Sequence, residues 1–305
     1  MTQAGVPTTA STLLHRAARD MAQDMDTAFD LLLAVPDDPR RRLYEAMRHA
    51  AIGGGKRLRP LLVKAAGDLF SIDHDSIVRV GLAIECIHVY SLVHDDLPAM
   101  DDDDMRRGKP TVHKAFDEAT AILAGDCLHD LAFDILADER THGDPFVRCE
   151  LIRALARASG PNGMAGGQMM DLAGEHENFD LPTVTRLQQL KTGAIISFCV
   201  EAAAILAHIP PEARTGLHGY AHDIGLAFQI ADDLLDVEGD AAETGKPVGA
   251  DAVAGKATFV SILGVERARA QAELLVGQAV AHLDPFESRA ELLRQVARYV
   301  VNRRT

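Results

Sequence analysis

Two clusters of aspartates carry most of the chemistry this chain could perform. The first, DDLPAMDDDD from Asp95 to Asp104, places six carboxylates within ten positions. At an effective dielectric of about 20, two bare charges about 4 Å apart repel by about 4 kcal/mol, so the run calls for counter-charge, which divalent cations supply. The second is DDLLD, Asp232 to Asp236. On a helix Asp232 and Asp236 lie about 40° apart and Gln229 falls one turn before Asp232, so the three share a face. The other side carries Leu226, Ile230 and Leu234. A solvated face interleaves Lys or Arg with its acids, and residues 221–237 contain neither. Two oxygen-rich clusters suit hard cations, and Mg²⁺ in particular is held by one or two carboxylates together with substrate phosphates. For either cluster taken alone, the plainer alternative is a solvated acidic segment.

The basic residues complement the acids. Lys56, Arg57 and Arg59 follow three glycines, Arg106 and Arg107 follow the first acidic run, and Lys191, Lys246 and Lys256 stand singly near glycine or threonine. Together they could grip two phosphate-bearing ligands by point charge and bidentate contact in an otherwise acidic chain. GGGKRLRP lacks the spacing of a Walker loop, and its plainer reading is a turn before a helix. His94 beside Asp95, with His88 and His113 also available, admits a different class, an all-α metal-dependent phosphohydrolase. That reading leaves DDLLD and the Arg106-Arg107 pair without a role. A non-enzymatic reading is an acidic helical scaffold or calcium binder, but DDDDM lacks the interleaved ligands and distal Glu of a calcium loop.

The elements that must hold these residues are helical. Segments rich in Ala, Leu, Arg and Glu alternate with short breaks, and no run of alternating β-branched residues stands out. The expectation is an all-α bundle in one domain over residues 1–305, with helices over 11–35, 40–52, 58–70, 74–97, 112–139, 145–159, 180–208, 211–238 and 256–302, the last broken near Asp284-Pro285. Residues 77–93 are apolar on nearly every side, as in a helix central to a bundle. Along it Ile77, Ile84, His88, Ser91 and Asp95 form one stripe that begins apolar and ends polar. Asp95 and Asp101 would be about 240° apart on a continuous helix, so they meet only if the helix ends between them, for which Pro98 gives a reason. On periodicity alone Asp102 is the better partner of Asp95.

Composition narrows the partners. The chain has 305 residues, 47% hydrophobic, with a net charge of −14, no Trp and four Tyr, which argues against a nucleic-acid partner. The amino terminus lacks the basic and apolar pattern of a secretory signal. The longest apolar stretch, 194–209, includes Glu201 and His208 and falls short of the roughly 18 uncharged residues of a membrane span. Cys86, Cys127, Cys149 and Cys199 form no CxxC pair and read as core residues of a reduced, cytoplasmic compartment.

The motifs GGGKRLRP, ECIHVYSLVHDDLPAMDDDDMRRGKPTVH, AGGQMMDLAGE, KTGA, FQIADDLLD and GKPVGAD occur in the order seen in a known family. Over about residues 40–300 the chain resembles the all-trans short-chain polyprenyl diphosphate synthases, in particular their bacterial farnesyl-making branch. The resemblance implies a helical bundle around a deep central cavity, usually as a homodimer. It implies condensation of isopentenyl diphosphate with allylic diphosphates, first dimethylallyl and then geranyl, to farnesyl diphosphate and pyrophosphate. By matching motif, Asp95, Asp101 and Asp232 would hold Mg²⁺, about three ions per site, with Asp96, Asp233 and Asp236 in the same catalytic set. Arg106, Lys191, Lys246 and Lys256 would grip the allylic diphosphate. Lys56, Arg59, His88 and Arg107 would bind isopentenyl diphosphate, and Thr192 and Gln229 would aim oxygen dipoles at the allylic carbon. Tyr90 matches the aromatic residue that closes the cavity floor at C15, and a geranylgeranyl-making enzyme is the alternative within the family. Tyr90 has its own plain alternative as an ordinary core aromatic. Gln168 and Asp171 would either line the cavity or hydrogen-bond at a helix start, and Phe259 stands where many relatives carry Tyr. Arg303 and Arg304 would either help close the site or belong to a frayed end.

Overall fold

A computed structural model of the chain describes residues 9–238 and 257–302. Its first helices are α1 (Thr9–Leu32), α2 (Arg41–Ala51), α3 (Leu58–Asp68) and α4 (His74–Asp95). They are followed by α5 (Val112–Ala115), α6 (Glu118–Ala137), α7 (Pro145–Ser159), α8 (Met164–Gly174) and α9 (Leu181–Gln188). A π-helical turn, Gln189–Gly193, joins α9 to α10 (Ala194–Leu206), and a 3₁₀ turn at Pro211–Arg214 leads into α11 (Thr215–Glu238). After the undescribed stretch come α12 (Phe259–Leu263), α13 (Val265–His282) and α14 (Glu291–Asn302), the last two separated by a 3₁₀ turn at Asp284–Ala290. The helix starts are written in the sequence: Asp73, Asp117, Asp144 and Asp180 each accept a backbone N–H from the first turn of the helix they cap.

α4 is the axis of the bundle. It packs against α6 and α3, and also touches α1, α2 and α10, and Val80, Ala83, Ile84, Cys86 and Ile87 on it are wholly buried. Two segments, His74–Asp95 and Leu181–Leu206, are long and apolar enough to cross a membrane, but most of each is buried inside the bundle. The second exceeds the expected apolar stretch because the π turn fuses α9 and α10 without a break. Core packing accounts for both compositions.

Three features depart from the expected element map. Phe116 and Asp117 split the helix expected over 112–139, with Asp117 starting a new one. A two-residue hairpin, β1 (Met105–Arg106) with β2 (Lys109–Pro110), follows the first aspartate run, and its turn residues Arg107 and Gly108 take positive φ, as tight hairpins require. α8 occupies a stretch outside the expected helices, where Gly163, Gly166 and Gly167 depress helix propensity, although Gln168 and Asp171 admit a helix start there. The last of those glycines governs the site: a Cβ on Gly167 would lie 2.2 Å from the Lys191 backbone nitrogen, so only glycine lets α8 approach the π turn this closely.

Candidate active site

Two cavities meet inside the bundle. One, of about 520 Å³, is lined by Lys56, Arg59, His88, Arg106 and Arg107 on one side and by Gln229 and Asp232 of α11 on the other. The second, of about 410 Å³, runs from Asp95 and Lys191 to an apolar wall of Tyr90, Met100, Met164, Met169 and Leu172. Arg59, His88, Leu92 and Thr192 line both. A polar chamber thus shares a wall with a greasy one. Those methionines and Leu172 were not singled out from sequence, and three of the four lie on the overlooked helix α8. Its AGGQMMD segment was the available signal.

The first aspartate motif is folded back on itself. α4 ends at Asp95, and the Asp101 backbone N–H donates to the Asp95 carbonyl at 2.8 Å, while Asp102 adopts a left-handed φ of 50°. This brings Asp101 onto Asp95 despite their separation around a helix. Burial pushes the Asp95 carboxyl up to about 6; Lys191 opposes the shift and the charge of Asp101 adds to it. Asp102 faces elsewhere. Its carboxylate, that of Asp104 and a His113 ring nitrogen lie within 4.8 Å of one another, the one cluster of three such ligand atoms among the described residues. Lys114 already pairs with Asp104 at 2.8 Å. Asp95, Asp101 and Asp232 therefore form no closed three-carboxylate cage. The donor set fits Mg²⁺ in its usual form, in which one or two carboxylates bind the ion and substrate phosphates complete the shell.

A pH dependence follows from Asp95. Its folded value lies above the ordinary 3.8, so the metal-free fold loses stability from this group as pH rises from about 4 to about 6. A cation that ionises it reverses that trend. Mg²⁺ affinity, in the presence of an allylic diphosphate analogue, is expected to fall as pH drops through about 6, with proton release detectable by calorimetry in buffers of different ionisation heat. Asp95→Asn should remove that release, and an unchanged release would place the proton elsewhere.

The arginines divide into two roles. Arg106 pairs with the buried Asp96, Nη2 to Oδ1 at 2.6 Å, and more loosely with Asp103 at 3.3 Å, so Asp96 holds it at the edge of the chamber. Arg107 lies across the glycine loop, its Nη2 3.5 Å from His88 Nε2. A Cβ on Gly55 would sit 2.6 Å from Arg107 Nη1, and Gly55 takes φ +85°. The glycines thus form the bed of the guanidinium. If Arg107 grips isopentenyl diphosphate as the resemblance implies, Gly55→Ala raises the KM for that ligand about 10- to 100-fold with a smaller change in kcat, the loss of roughly one charge-assisted contact set. Steady-state kinetics in each substrate checks this, and an unchanged KM would detach Arg107 from that ligand. Burial and the flanking arginines, Arg59 first, hold His88 well below the usual histidine range, so its imidazole is neutral.

Arg57 corrects the grouping of three cations after the glycines. Its side chain is only 1% exposed and is committed to Glu85 at 2.6 Å and Asp26 at 2.8 Å, with the Ala51 carbonyl as a further acceptor. Arg59 differs: its Nε is buried without a hydrogen-bond partner beside both cavities. The two amide atoms of Gln168, in the wall shared with Asp95 and Lys191, are likewise buried and unpartnered. Asp171 instead accepts from Lys191 Nζ at 2.8 Å.

Lys191 and Thr192 sit in the π turn, an irregularity common where a helix serves a site. Across from them Gln229 donates its amide N–H to Gln188 Oε1 at 2.8 Å, and its own carbonyl oxygen is the remaining pole. Asp233, expected in the catalytic set, is 5% exposed, accepts the Phe259 N–H at 2.8 Å and lines neither cavity. Its partner is the first residue of α12, so this contact bridges two helices. Lys246 and Lys256 lie outside the described residues, as do Arg303 and Arg304. Tyr299, just before that end, lines the larger cavity. His94 offers no support for a phosphohydrolase centre, because its Nε2 is bonded to the Ile122 carbonyl at 3.1 Å.

A helical bundle whose acidic helix ends and cations surround a polar chamber opening on an apolar one defines a class, the prenyltransferases of the isoprenoid-synthase fold. Residues 40–296 match the polyprenyl synthetase family, and the chain belongs to it. It is 46% identical to the farnesyl diphosphate synthase of Escherichia coli over 266 residues, covering 86% of this chain and 89% of the relative. An FPP/GFPP synthase from Zymomonas mobilis, solved in the apo state, superposes with a TM-score of 0.89 at 60% identity, over 95% of this chain and 100% of that one. A geranyltransferase from Helicobacter pylori, complexed with magnesium and isoprenyl diphosphate, aligns at 29% identity with a TM-score of 0.80, over 98% of each chain.

Proposed function

We propose that this chain is a farnesyl diphosphate synthase, joining isopentenyl diphosphate to dimethylallyl and then geranyl diphosphate in a 1′-4 condensation. The observation that carries the reading is the shared wall: a chamber rich in cations meets, at Arg59, His88, Leu92 and Thr192, a largely apolar chamber of about 410 Å³. Lys56, Arg59 and Arg107 hold the diphosphate of the homoallylic substrate, with neutral His88 as a hydrogen-bonding partner. Arg106 and Lys191 hold the allylic diphosphate, each oriented by an acid of its own, Asp96 and Asp171. Lys246 and Lys256 belong to the same set by motif. Asp95, Asp101 and Asp232 would hold Mg²⁺, about three ions, which when bound would supply charge neutralisation that makes the diphosphate a better leaving group.

The allylic C–O bond breaks with its electron pair leaving on pyrophosphate, and the double bond of isopentenyl diphosphate attacks the carbon so exposed. A proton then leaves the adduct for the released pyrophosphate, and the new double bond forms. Thr192 and Gln229 present oxygens where positive charge develops. The apolar wall excludes water that would quench it. The product length would be set by Tyr90. A second reading, chains longer than C15, has support from the Zymomonas mobilis relative, whose name pairs FPP with GFPP; geranylgeranyl diphosphate is the alternative that the family resemblance offers.

The whole chain reads as one polyprenyl synthetase domain. A homodimer, as the family resemblance implies, would cover Ile122 and Leu123 on α6, which are 44% and 54% exposed. Four free cysteines are consistent with a cytoplasmic setting. The decisive assay supplies labelled isopentenyl diphosphate and dimethylallyl diphosphate with Mg²⁺ or with chelator, and sizes the dephosphorylated products. A dominant C15 product that chelator abolishes is expected. C20 or longer would remove Tyr90 as the floor, and no condensation with any allylic primer would overturn the function.

A further inference from the structure

We infer that His94 and Gly125 act as a latch on the cavity floor, positioning Tyr90 and thereby setting how long a product the apolar chamber admits. The inference deepens the proposed function and rests on its reading of Tyr90 as that floor. His94 follows Tyr90 by one turn of α4, and both line the 410 Å³ cavity. Its imidazole is seated on α6. Nε2 donates to the Ile122 carbonyl at 3.1 Å, and a Cβ on Gly125 would lie 2.1 Å from that nitrogen and 2.4 Å from Cδ2. Gly125 lies well inside α6, where alanine would be the better helix former, so its service there is space. The slot exists because residue 125 has no side chain.

From that slot the ring buttresses the floor. His94 meets Tyr90 edge to face with centroids 5.7 Å apart, Tyr90 meets His129 at 5.0 Å, and His129 meets Phe133 at 5.0 Å. The four rings tie the end of α4 to α6, and two of them, Tyr90 and His94, line the apolar chamber. A methyl at position 125 collides with the tip of a side chain that turns about two bonds, so the imidazole moves and the helices stay. With the α6 backbone on one side and Tyr90 on another, the ring's way out is the cavity it already lines. Gly125→Ala therefore shortens the chamber. His94→Ala empties the slot and frees an edge of Tyr90, which lengthens it.

The test sizes products of the full-length protein with Mg²⁺, isopentenyl diphosphate and dimethylallyl diphosphate, for Gly125→Ala, His94→Ala, the double variant and Tyr90→Ala. Gly125→Ala is expected to raise the C10-to-C15 ratio about tenfold, and His94→Ala the share of C20 and longer by a similar factor, the discrimination a small change in an apolar pocket gives. In the double variant the accumulation of C10 should vanish, because no ring remains to be displaced. The far-ultraviolet circular dichroism of every variant should match the parent, and for Gly125→Ala, a residue that lines neither cavity, the rate of the first condensation should as well. Unchanged product ratios in both single variants, with Tyr90→Ala still lengthening the product, would overturn the latch and leave the floor in place. Accumulation of C10 that persists without His94 would also overturn it. If Tyr90→Ala leaves the product length unchanged, the floor reading itself fails.

Discussion

Asp232→Asn is expected to lower kcat for condensation by about 10³- to 10⁵-fold, with the fold intact. The change is nearly isosteric and removes one negative charge from a chamber that also holds Arg106, Arg107, Lys56 and Arg59. A carboxylate that binds a hard cation contributes several kcal/mol to stabilising a departing diphosphate, and about 4–7 kcal/mol corresponds to that rate range. Because the loss falls on the step in which charge separates, kcat and kcat/KM should drop together while the KM for isopentenyl diphosphate changes little. The neighbouring acid supplies the control. Asp233 accepts the Phe259 N–H, so Asp233→Asn should lower the melting temperature with a far smaller loss of kcat. Single-turnover kinetics and a melt of each variant separate the two. Full activity in Asp232→Asn would overturn the metal-site reading and return the acidic-scaffold reading to the front.

The contrast between those adjacent aspartates shows where sequence reasoning reaches and where it stops. Helical periodicity puts Asp232, Asp236 and Gln229 on one face without setting Asp233 apart from Gln229, one turn before it, and motif membership places all the acids in one set. Only the packing of α12 on α11 reveals what Asp233 holds. The first motif is similar. Pro98 announces that the helix must end, but the choice between Asp101 and Asp102 depends on the backbone bond from Asp101 to Asp95 and the left-handed turn at Asp102. Helix positions were largely legible, because capping aspartates and long apolar stretches are local signals. α8 was not, because its glycines depress local helix propensity, and one of them, Gly167, serves a contact with Lys191 that lies 24 positions further on. The apolar half of the site went unread with it.

Arg57→Ala is expected to destabilise the fold by about 3–5 kcal/mol, the cost of leaving a buried charge without its partner. In sequence Arg57 is indistinguishable from Arg59, two positions on. The backbone separates them, for Arg57 takes a left-handed φ of 47° at the start of α3 and is turned into the bundle. There it meets Glu85 of α4, whose side chain is 2% exposed, and its guanidinium lies over the Phe29 ring. Truncation strands Glu85 in the core. For a protein of this size the melting temperature should fall on the order of 10 °C, while the KM for isopentenyl diphosphate in the folded fraction stays near the parent value. Arg59→Ala should show the reverse, a higher KM with little change in melting. Replacing both members of the buried pair by apolar residues, Arg57→Met with Glu85→Leu, should recover most of the lost stability, since the penalty belongs to the unpaired charge. A small change in melting for Arg57→Ala with a large rise in KM would place Arg57 among the diphosphate ligands after all.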